Sequence, residues 1–454
     1  MNRSFAIASF VAAIAAGAAL AQDARPNLET RIRSDKSNVE RSGRWIYDDL
    51  SHGVEEAKKS GKPLLVIFRC IPCEACAKLD EEVVTSDRLI RDLLDQFVCV
   101  RIPHANGMDL SLFQFDYDQS WAAFFLEPDM TILGRYGTRS SQKDSTNDVS
   151  LEGFAKSLEG ALALHAGFPE VKSALRAKRG EPLEEKTPED FPSFGGKFGA
   201  SLDYAKGKDV VPTCIHCHQL SAAERRFYRD AGKPIPDRLL YPYPNPKSLG
   251  IVMDPKSAAR ILRVEPGSPA KRDGLRAGDE IRELAGQPIL STADIQWVLH
   301  HAPASGSLAI VVVHPGDAGK ETGEFDPDQK LSLPFGWRSA DDISWRASSW
   351  DLRRMTTGGM LLEALPAEER AKLGIKDGAM ALVAKHVGQY GEHAAAKNAG
   401  FLKGDVVVSV DGCTDVMTET QWMTWLVNAK KPGEKVPVTV LRDGKKIDLS
   451  LPMQ

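Results

Sequence analysis

The sequence predicts a multidomain chain: an α/β domain followed by two smaller, mainly-β units. Three observations predict it. Near the N-terminus, helical patterns alternate with short apolar runs of the kind that form buried strands. In the second half, Gly274-Leu275-Arg276-Ala277-Gly278-Asp279-Glu280-Ile281 returns as Gly400-Phe401-Leu402-Lys403-Gly404-Asp405-Val406-Val407, at an offset of 126 residues. Gly286 and Gly412 keep that offset, as do Thr292 and Thr418, so the register holds through a repeated unit. Finally, five of the seven cysteines fall in two short runs, Cys70-x-x-Cys73-x-x-Cys76 and Cys214-x-x-Cys217-His218.

The first 21 residues read as a secretory signal peptide. Arg3 precedes an apolar, Ala-rich run from Phe5 to Leu20, and Ala19-Leu20-Ala21 is a small-residue cleavage site. The expected location is outside the cytosol, most simply the periplasm. Residues 22–43 are polar and read as a flexible leader. No later stretch is long and apolar enough to span a bilayer stably. The net charge of −4 is nearly balanced, and no basic block argues for nucleic acid. Seven cysteines in 454 residues do not make a disulfide scaffold; their clustering points to chemistry.

The α/β domain is expected over 44–166. Trp45 to Ser60 has helical spacing at Leu50, Val54 and Ala57, and Gly61-Lys62-Pro63 breaks it. Leu64 to Phe68 is a buried strand. The first cysteine run then opens a helix through Val83. Phe97 to Ile102 and Ala122 to Leu126 are further strands. Thr131 to Tyr136 pairs with the latter across Pro128-Asp129, and Leu151 to His165 is a closing amphipathic helix. A Pro/Gly-rich linker over 167–247 holds the second cysteine run. The repeated units occupy 248–316 and 360–454, with a bridge over 317–359.

The first run has a setting suited to thiol chemistry. A cysteine at a helix N-terminus ionises more readily, because free backbone N–H groups and the helix dipole favour a thiolate. A two-residue spacing lets a second sulfur attack the mixed disulfide formed at the first. Strand, cysteine pair, Leu79 and Glu81-Glu82 together resemble the thioredoxin-like superfamily. The resemblance implies Cys73 as attacking thiol and Cys76 as resolving thiol. Cys70 would be a third partner, since Cys70-Ile71-Pro72-Cys73 is itself a C-x-x-C. Pro72 replaces the usual tryptophan, and no proline stands near Ser120-Trp121, where a thioredoxin carries its cis-proline. A structural disulfide and a thiolate metal site including His104 are the competing readings. Cys99 reads as a buried core residue.

Cys214-Ile215-His216-Cys217-His218 matches C-x-x-C-H. In c-type haem attachment two thiols hold the vinyl groups and the following imidazole binds the iron, here Cys214, Cys217 and His218. Helices are expected from Phe198 to Lys206 and from Ser221 to Asp230. Met253, the nearest downstream methionine, falls where a later strand is expected, and His216 is too close in sequence to serve as distal ligand. A Cys/His zinc site and a plain disulfide compete with haem.

The repeated units resemble PDZ domains, which are small, partly open β-barrels with two helices. The motifs are Leu249-Gly250-Ile251, Val264 to Ala270 and Gly274 to Asp279, then more loosely Leu373-Gly374-Ile375, Ala394 to Ala396 and Gly400 to Asp405. PDZ domains bind peptides by strand addition and capture a terminal carboxylate on a backbone loop. By resemblance those loops are Leu249–Ile251 and Leu373–Ile375, with Ile295 and Leu299 lining the first groove. PDZ pairs also occur in exported serine proteases, but no Gly-x-Ser-x-Gly stands upstream.

The whole order resembles a bacterial family of thioredoxin-like/PDZ-domain (seleno)proteins. That implies an exported thiol–disulfide redox protein whose PDZ domains recruit protein clients or C-terminal peptides. A haem c electron carrier and a non-catalytic PDZ scaffold are the alternatives.

Overall fold

The computed structural model describes residues 27–71, 77–85, 88–141, 147–205, 207–314 and 329–454. The expected signal peptide lies outside the described residues, as do Cys73 and Cys76.

The first domain is built on five strands: β1 (Trp45–Tyr47), β2 (Leu64–Arg69), β3 (Val98–Ile102), β4 (Trp121–Leu126) and β5 (Ile132–Tyr136). Their order is β1-β3-β2-β4-β5. The first three run parallel, and β4 and β5 run antiparallel. Every residue of β2, β4 and β5 is buried, which explains why they read as continuous apolar runs. Side chains alternate between two layers. Leu65 and Ile67 face a core with Trp121, Phe125 and Phe154, while Val66 and Phe68 face one with Phe113, Phe115 and Phe124. Helices α1 (Leu28–Arg41), α2 (Leu50–Ser60), α3 (Ala77–Val84) and α4 (Leu151–Ala166) complete the domain.

Three local expectations change. Trp45 to Ser60 is not one helix. Trp45–Tyr47 pairs with β3, and Asp49 then caps α2 by accepting from His52 N. Nor are residues 28–41 a flexible leader. Asn27 caps α1, Ile32 and Val39 are buried, and Asp35 pairs with Arg101. From Phe198 to Ala205 no helix forms; Phe194 and Phe198 pack edge to face within a bend. Helix α5 (Cys217–Asp230) does form, and Leu220 and Ala223 join the second core layer.

The first repeated unit contains β6 (Ile251–Met253) and β7 (Ile261–Val264) as an antiparallel pair. A four-stranded sheet holds β8 (Glu280–Leu284), β9 (Gln287–Pro288), β10 (Gly306–Val313) and β11 (Lys330–Leu333), in the order β11-β10-β8-β9. Helix α6 (Thr292–His301) packs on it. The second unit carries β12 (Met360–Ala364), β13 (Leu382–Val387), β14 (Val406–Val410), β15 (Lys435–Arg442) and β16 (Lys445–Pro452), side by side in chain order. Helix α7 (Ser349–Thr357) precedes it in the bridge, and α8 (Ala367–Lys372) and α9 (Glu419–Ala429) lie within it. These sheets are open rather than closed barrels. The expected bridge divides: β11 adds an edge strand to the first unit, and α7 packs on α9 of the second.

The first unit is set firmly against the α/β domain. Leu290 fits between Gly134 of β5 and Gly160 of α4, where an added Cβ would lie 2.6 and 2.8 Å from its methyl carbons. Ser157 Oγ donates to Leu290 O at 2.9 Å, and Ser291 Oγ donates to Arg135 O at 2.5 Å. The Arg135 guanidinium lies 3.9 Å over the Trp297 ring, and Lys178 forms a fully buried ion pair with Asp294 at 2.8 Å.

Candidate functional site

Cys70 stands just beyond β2, where a thioredoxin-like sheet presents its thiols. Its backbone N–H donates to Ser120 O at 3.0 Å, so the place expected to carry a proline is filled by Ser120. A buried charge network lies beside this turn. Arg101 donates to both oxygens of Asp80, at 2.7 and 2.8 Å, and to Asp35 at 2.8 and 3.1 Å. Arg69 pairs with Asp80 at 3.1 Å, and Trp121 Nε1 donates to Asp80 at 3.0 Å. Burial opposes ionisation of Asp80, but the two guanidiniums outweigh it and hold the carboxyl below its ordinary range. Asp35, Arg69 and Asp80 also line a cavity of about 550 Å³ between α1 and α3. Sequence reasoning singled out Glu81-Glu82 and missed Asp80. The available signal was Arg101, an unmatched cation inside an otherwise apolar strand.

The two cysteine runs meet. Ala105 N donates to Ile215 O at 2.9 Å, and Asn106 accepts from Ile215 N at 2.8 Å. Asn106 Nδ2 donates to Thr213 O at 2.9 Å. This clamp brings His216 Nδ1 to 3.6 Å from Cys70 Sγ. Helix α1 ties both runs together: Arg31 donates to Ile71 O at 2.9 Å, and Glu29 accepts from Val210 N and Val211 N. His216 and His218 lie nearly parallel, with ring centroids 5.7 Å apart. Burial, then the neighbouring His218, brings the His216 imidazole down to about 4; burial also lowers His218. Burial pushes the Cys214 thiol up to about 12 and that of Cys99, in the β3 core, likewise to about 12.

Cys214, Cys217 and His218 have the donor types a haem c needs, but their placement does not fit one. Cys214 packs among Ile32, Ile71, Leu202 and Val210, whereas Cys217 belongs to the separate layer around Phe113 and Leu220. Both thiols therefore face protein side chains rather than one shared porphyrin edge. Met253 lies in β6, as expected from its position. His104 is bound to Asp48 at 2.8 Å and its Nδ1 accepts from Asn106 N, so it serves the clamp. Among the described residues, no group of three or more His, Cys, Asp and Glu side chains is arranged to hold a metal ion.

In the first repeated unit, Leu249-Gly250-Ile251 leads into β6 as expected. Gly250 adopts φ +85°, and a Cβ there would sit 2.1 Å from Ser268 Cβ. Leu249, Ile251, Ile295 and Leu299 are all in the core. Beside β6, a cavity of about 390 Å³ is lined by Lys247, Val252, Arg263 and Thr292, and by Thr138 and Asp148 of the α/β domain.

The second unit requires a correction. Leu373-Gly374-Ile375 follows α8 in an exposed turn between β12 and β13. It does not lead into the strand equivalent to β6. That strand is β12, and the segment before it is Thr357-Gly358-Gly359, where Gly359 has φ +86° and packs against His393 O. The repeat is tight around Gly274 and Gly400 but loose ahead of them, so a similar tripeptide was matched at the wrong place.

Comparison with known proteins agrees with this architecture. A thioredoxin-like family model matches residues 45–128, and two PDZ-domain models match residues 260–313 and 386–453. The chain carries a thioredoxin-like domain followed by two PDZ domains. A probable periplasmic serine endoprotease DegP-like of Marinomonas sp. is 27% identical over 192 residues, covering 42% of this chain and 36% of that protein. Its counterpart in Pseudomonas savastanoi pv. phaseolicola is 23% identical over 193 residues, covering 42% and 37%. The chain thus spans little more than a third of the length of the curated relatives it matches. A solved HtrA-type protease AlgW with decapeptide is 30% identical with a TM-score of 0.17, over 21% of this chain and 27% of that one. No helix among the described residues is long and apolar enough to cross a membrane.

Proposed function

We propose that this chain is an exported, periplasmic thiol–disulfide redox protein that holds protein clients through its PDZ domains. The observation that supports it is the convergence of the two cysteine runs: Cys70, on a thioredoxin-like strand end, faces His216 of the docked Cys214–Cys217 segment at 3.6 Å. In the proposed cycle the Cys73 thiolate attacks a client disulfide, forming a mixed disulfide and releasing one client thiolate. Cys76 then attacks the Cys73 sulfur. The client leaves with both thiols reduced, and a Cys73–Cys76 disulfide remains. Cys70 can exchange with that disulfide. The periplasmic description of the relatives supports the compartment.

A Cys76→Ser variant should accumulate mixed disulfides with clients, and adding Cys73→Ser should abolish them. No trapped species, together with no titratable thiol in the reduced protein, would overturn the redox reading. A Soret band after expression with a haem c maturation system would establish the haem reading at Cys214, Cys217 and His218. Client capture that survives loss of all three N-terminal cysteines, without any redox turnover, would establish the scaffold reading.

A further inference from the structure

Residues 235–245 follow α5 in the chain and contain one helical turn, Asp237–Leu240. This short stretch holds the groove helices of both PDZ domains at once. In the first domain Thr292, Gln296 and His300 are spaced by four residues and form one stripe of α6. Thr292 opens onto the cavity beside β6, so the stripe borders the peptide groove. Tyr243 lies over the rest of it. Its ring stacks on His300, with centroids 4.1 Å apart and an interplanar angle of 4°. Tyr243 N donates to His300 Nδ1 at 3.2 Å, and Gln296 Nε2 donates to Tyr243 O at 2.8 Å. The other end of the Gln296 amide accepts from Thr138 Oγ1 of the α/β domain at 2.7 Å. Tyr243, Gln296 and His300 are all buried.

The corresponding stripe of α9 is Glu419, Met423 and Val427. Glu419 accepts from Leu362 N of β12 at 2.7 Å and so borders the second groove. Met423 and Val427 pack in one apolar cluster with Ile235, Leu239 and Tyr241, beside Leu352 of α7. The Asn428 amide takes both backbone groups of Ile235, at 2.8 and 2.9 Å, and Tyr241 Oη bonds with Thr424 Oγ1 at 2.8 Å. The start of the stretch is therefore tied to α9 and its end to α6.

We infer that residues 235–245 are an internal ligand of both PDZ domains, a strap that a client peptide must displace. A peptide added to β6 or β12 lies between that strand and the groove helix, and its side chains must meet the helix stripe. Beyond Thr292 and Glu419 that stripe is already buried under the chain's own residues. A strap closed in about nine-tenths of molecules lowers the apparent affinity for a client about tenfold. The inference concerns the regulation of the client grooves and rests on the reading that the PDZ domains hold clients.

The test uses the full chain and a short fluorescent peptide ending in apolar residues, with either a free or an amidated C-terminus. Tyr243 has φ +48°, so Tyr243→Gly removes the ring without adding backbone strain, and Asn428 is exposed on α9. The Tyr243→Gly/Asn428→Ala variant should bind the free-carboxylate peptide about tenfold or more tightly than wild type, and the amidated peptide no more tightly. In wild type, an excess of the free-carboxylate peptide should speed hydrogen exchange at the Ile235 and Tyr243 N–H groups, a readout that does not need the variant to fold. Equal affinity of wild type and variant would overturn the inference and leave the client-holding reading intact. So would an equal gain for the amidated peptide, or unchanged exchange in peptide-bound wild type. If the free-carboxylate peptide binds neither protein, the inference and the client-holding reading fall together.

Discussion

The two PDZ domains have the same fold but different attachments. In each, an acidic residue near the start of the groove helix is paired with a base from outside the repeated unit. Asp294 of α6 pairs with Lys178, from the segment after the α/β domain, while Glu419 of α9 pairs with Arg353 of the bridge helix α7. The first arrangement joins its domain to the thioredoxin-like core through Leu290, Trp297 and Arg135. The second turns inward and ties the edge strand β12 to α9. Similar acid–base pairs thus serve domain docking in one copy and the tie between β12 and α9 in the other. A duplicated unit keeps its glycines because its turns need them, while its charges are free to answer different neighbours.

The sharpest way to break this contrast is to strand Asp294. Lys178→Met leaves a fully buried carboxylate unpaired, and should cost about 3–5 kcal/mol in denaturant unfolding. The added change Asp294→Leu should restore much of it, because two apolar groups then replace a buried pair. Arg353→Met in the second domain should cost somewhat less, about 3 kcal/mol. Its distinguishing sign is faster hydrogen exchange at Leu362, which a change near α6 would not produce.

A pH titration probes the thiol region together with the first PDZ domain, because burial also pushes the imidazoles of His300 and His301 on α6 below their ordinary range. His216 is held neutral in the fold, at about 4 against an ordinary value near 6.5. Between these values the unfolded chain binds the proton and the folded one does not, so stability falls as pH drops through this window. The expected loss at this site is about 3 kcal/mol. His216→Gln should flatten that part of the stability profile.

The smallest expected effect is at Gly374. It has φ +64° with open space where a Cβ would go, so Gly374→Ala should cost about 1 kcal/mol of backbone strain and leave peptide binding unchanged. Gly250→Ala should cost more, since its Cβ would collide with Ser268. Equal costs at the two glycines would argue that their environments do not differ.

The central strands were legible because both faces are buried: Leu64 to Phe68, Phe97 to Ile102, Ala122 to Leu126 and Thr131 to Tyr136 each lie within about a residue of the observed strand. Leu151 to His165 was legible as a one-faced helix ending at Gly167. Helix α1 was not, because its hold on the fold is mainly polar: Asp35 on Arg101 and Glu29 on two distant backbone N–H groups. Such partners have no local pattern. The same reason hid the meeting of the cysteine runs, which depends on Asn106 clamping residues 213–215 from more than a hundred positions away. Leu249–Ile251 leads directly into β6, so tripeptide and strand are read together, whereas in the second domain α8 intervenes between β12 and the tripeptide that mimicked it.

Helix α1 also has a consequence for the order of assembly. It leaves the ribosome before either cysteine run, yet Glu29 must wait for Val210 and Val211, and the first run must wait for His216. During that interval Cys70 lacks the histidine that later stands beside it, and any oxidant or foreign thiol it meets can react with it. Completion of the site is therefore a late, checkable event in the life of the chain, marked by the arrival of a segment more than a hundred and thirty residues behind.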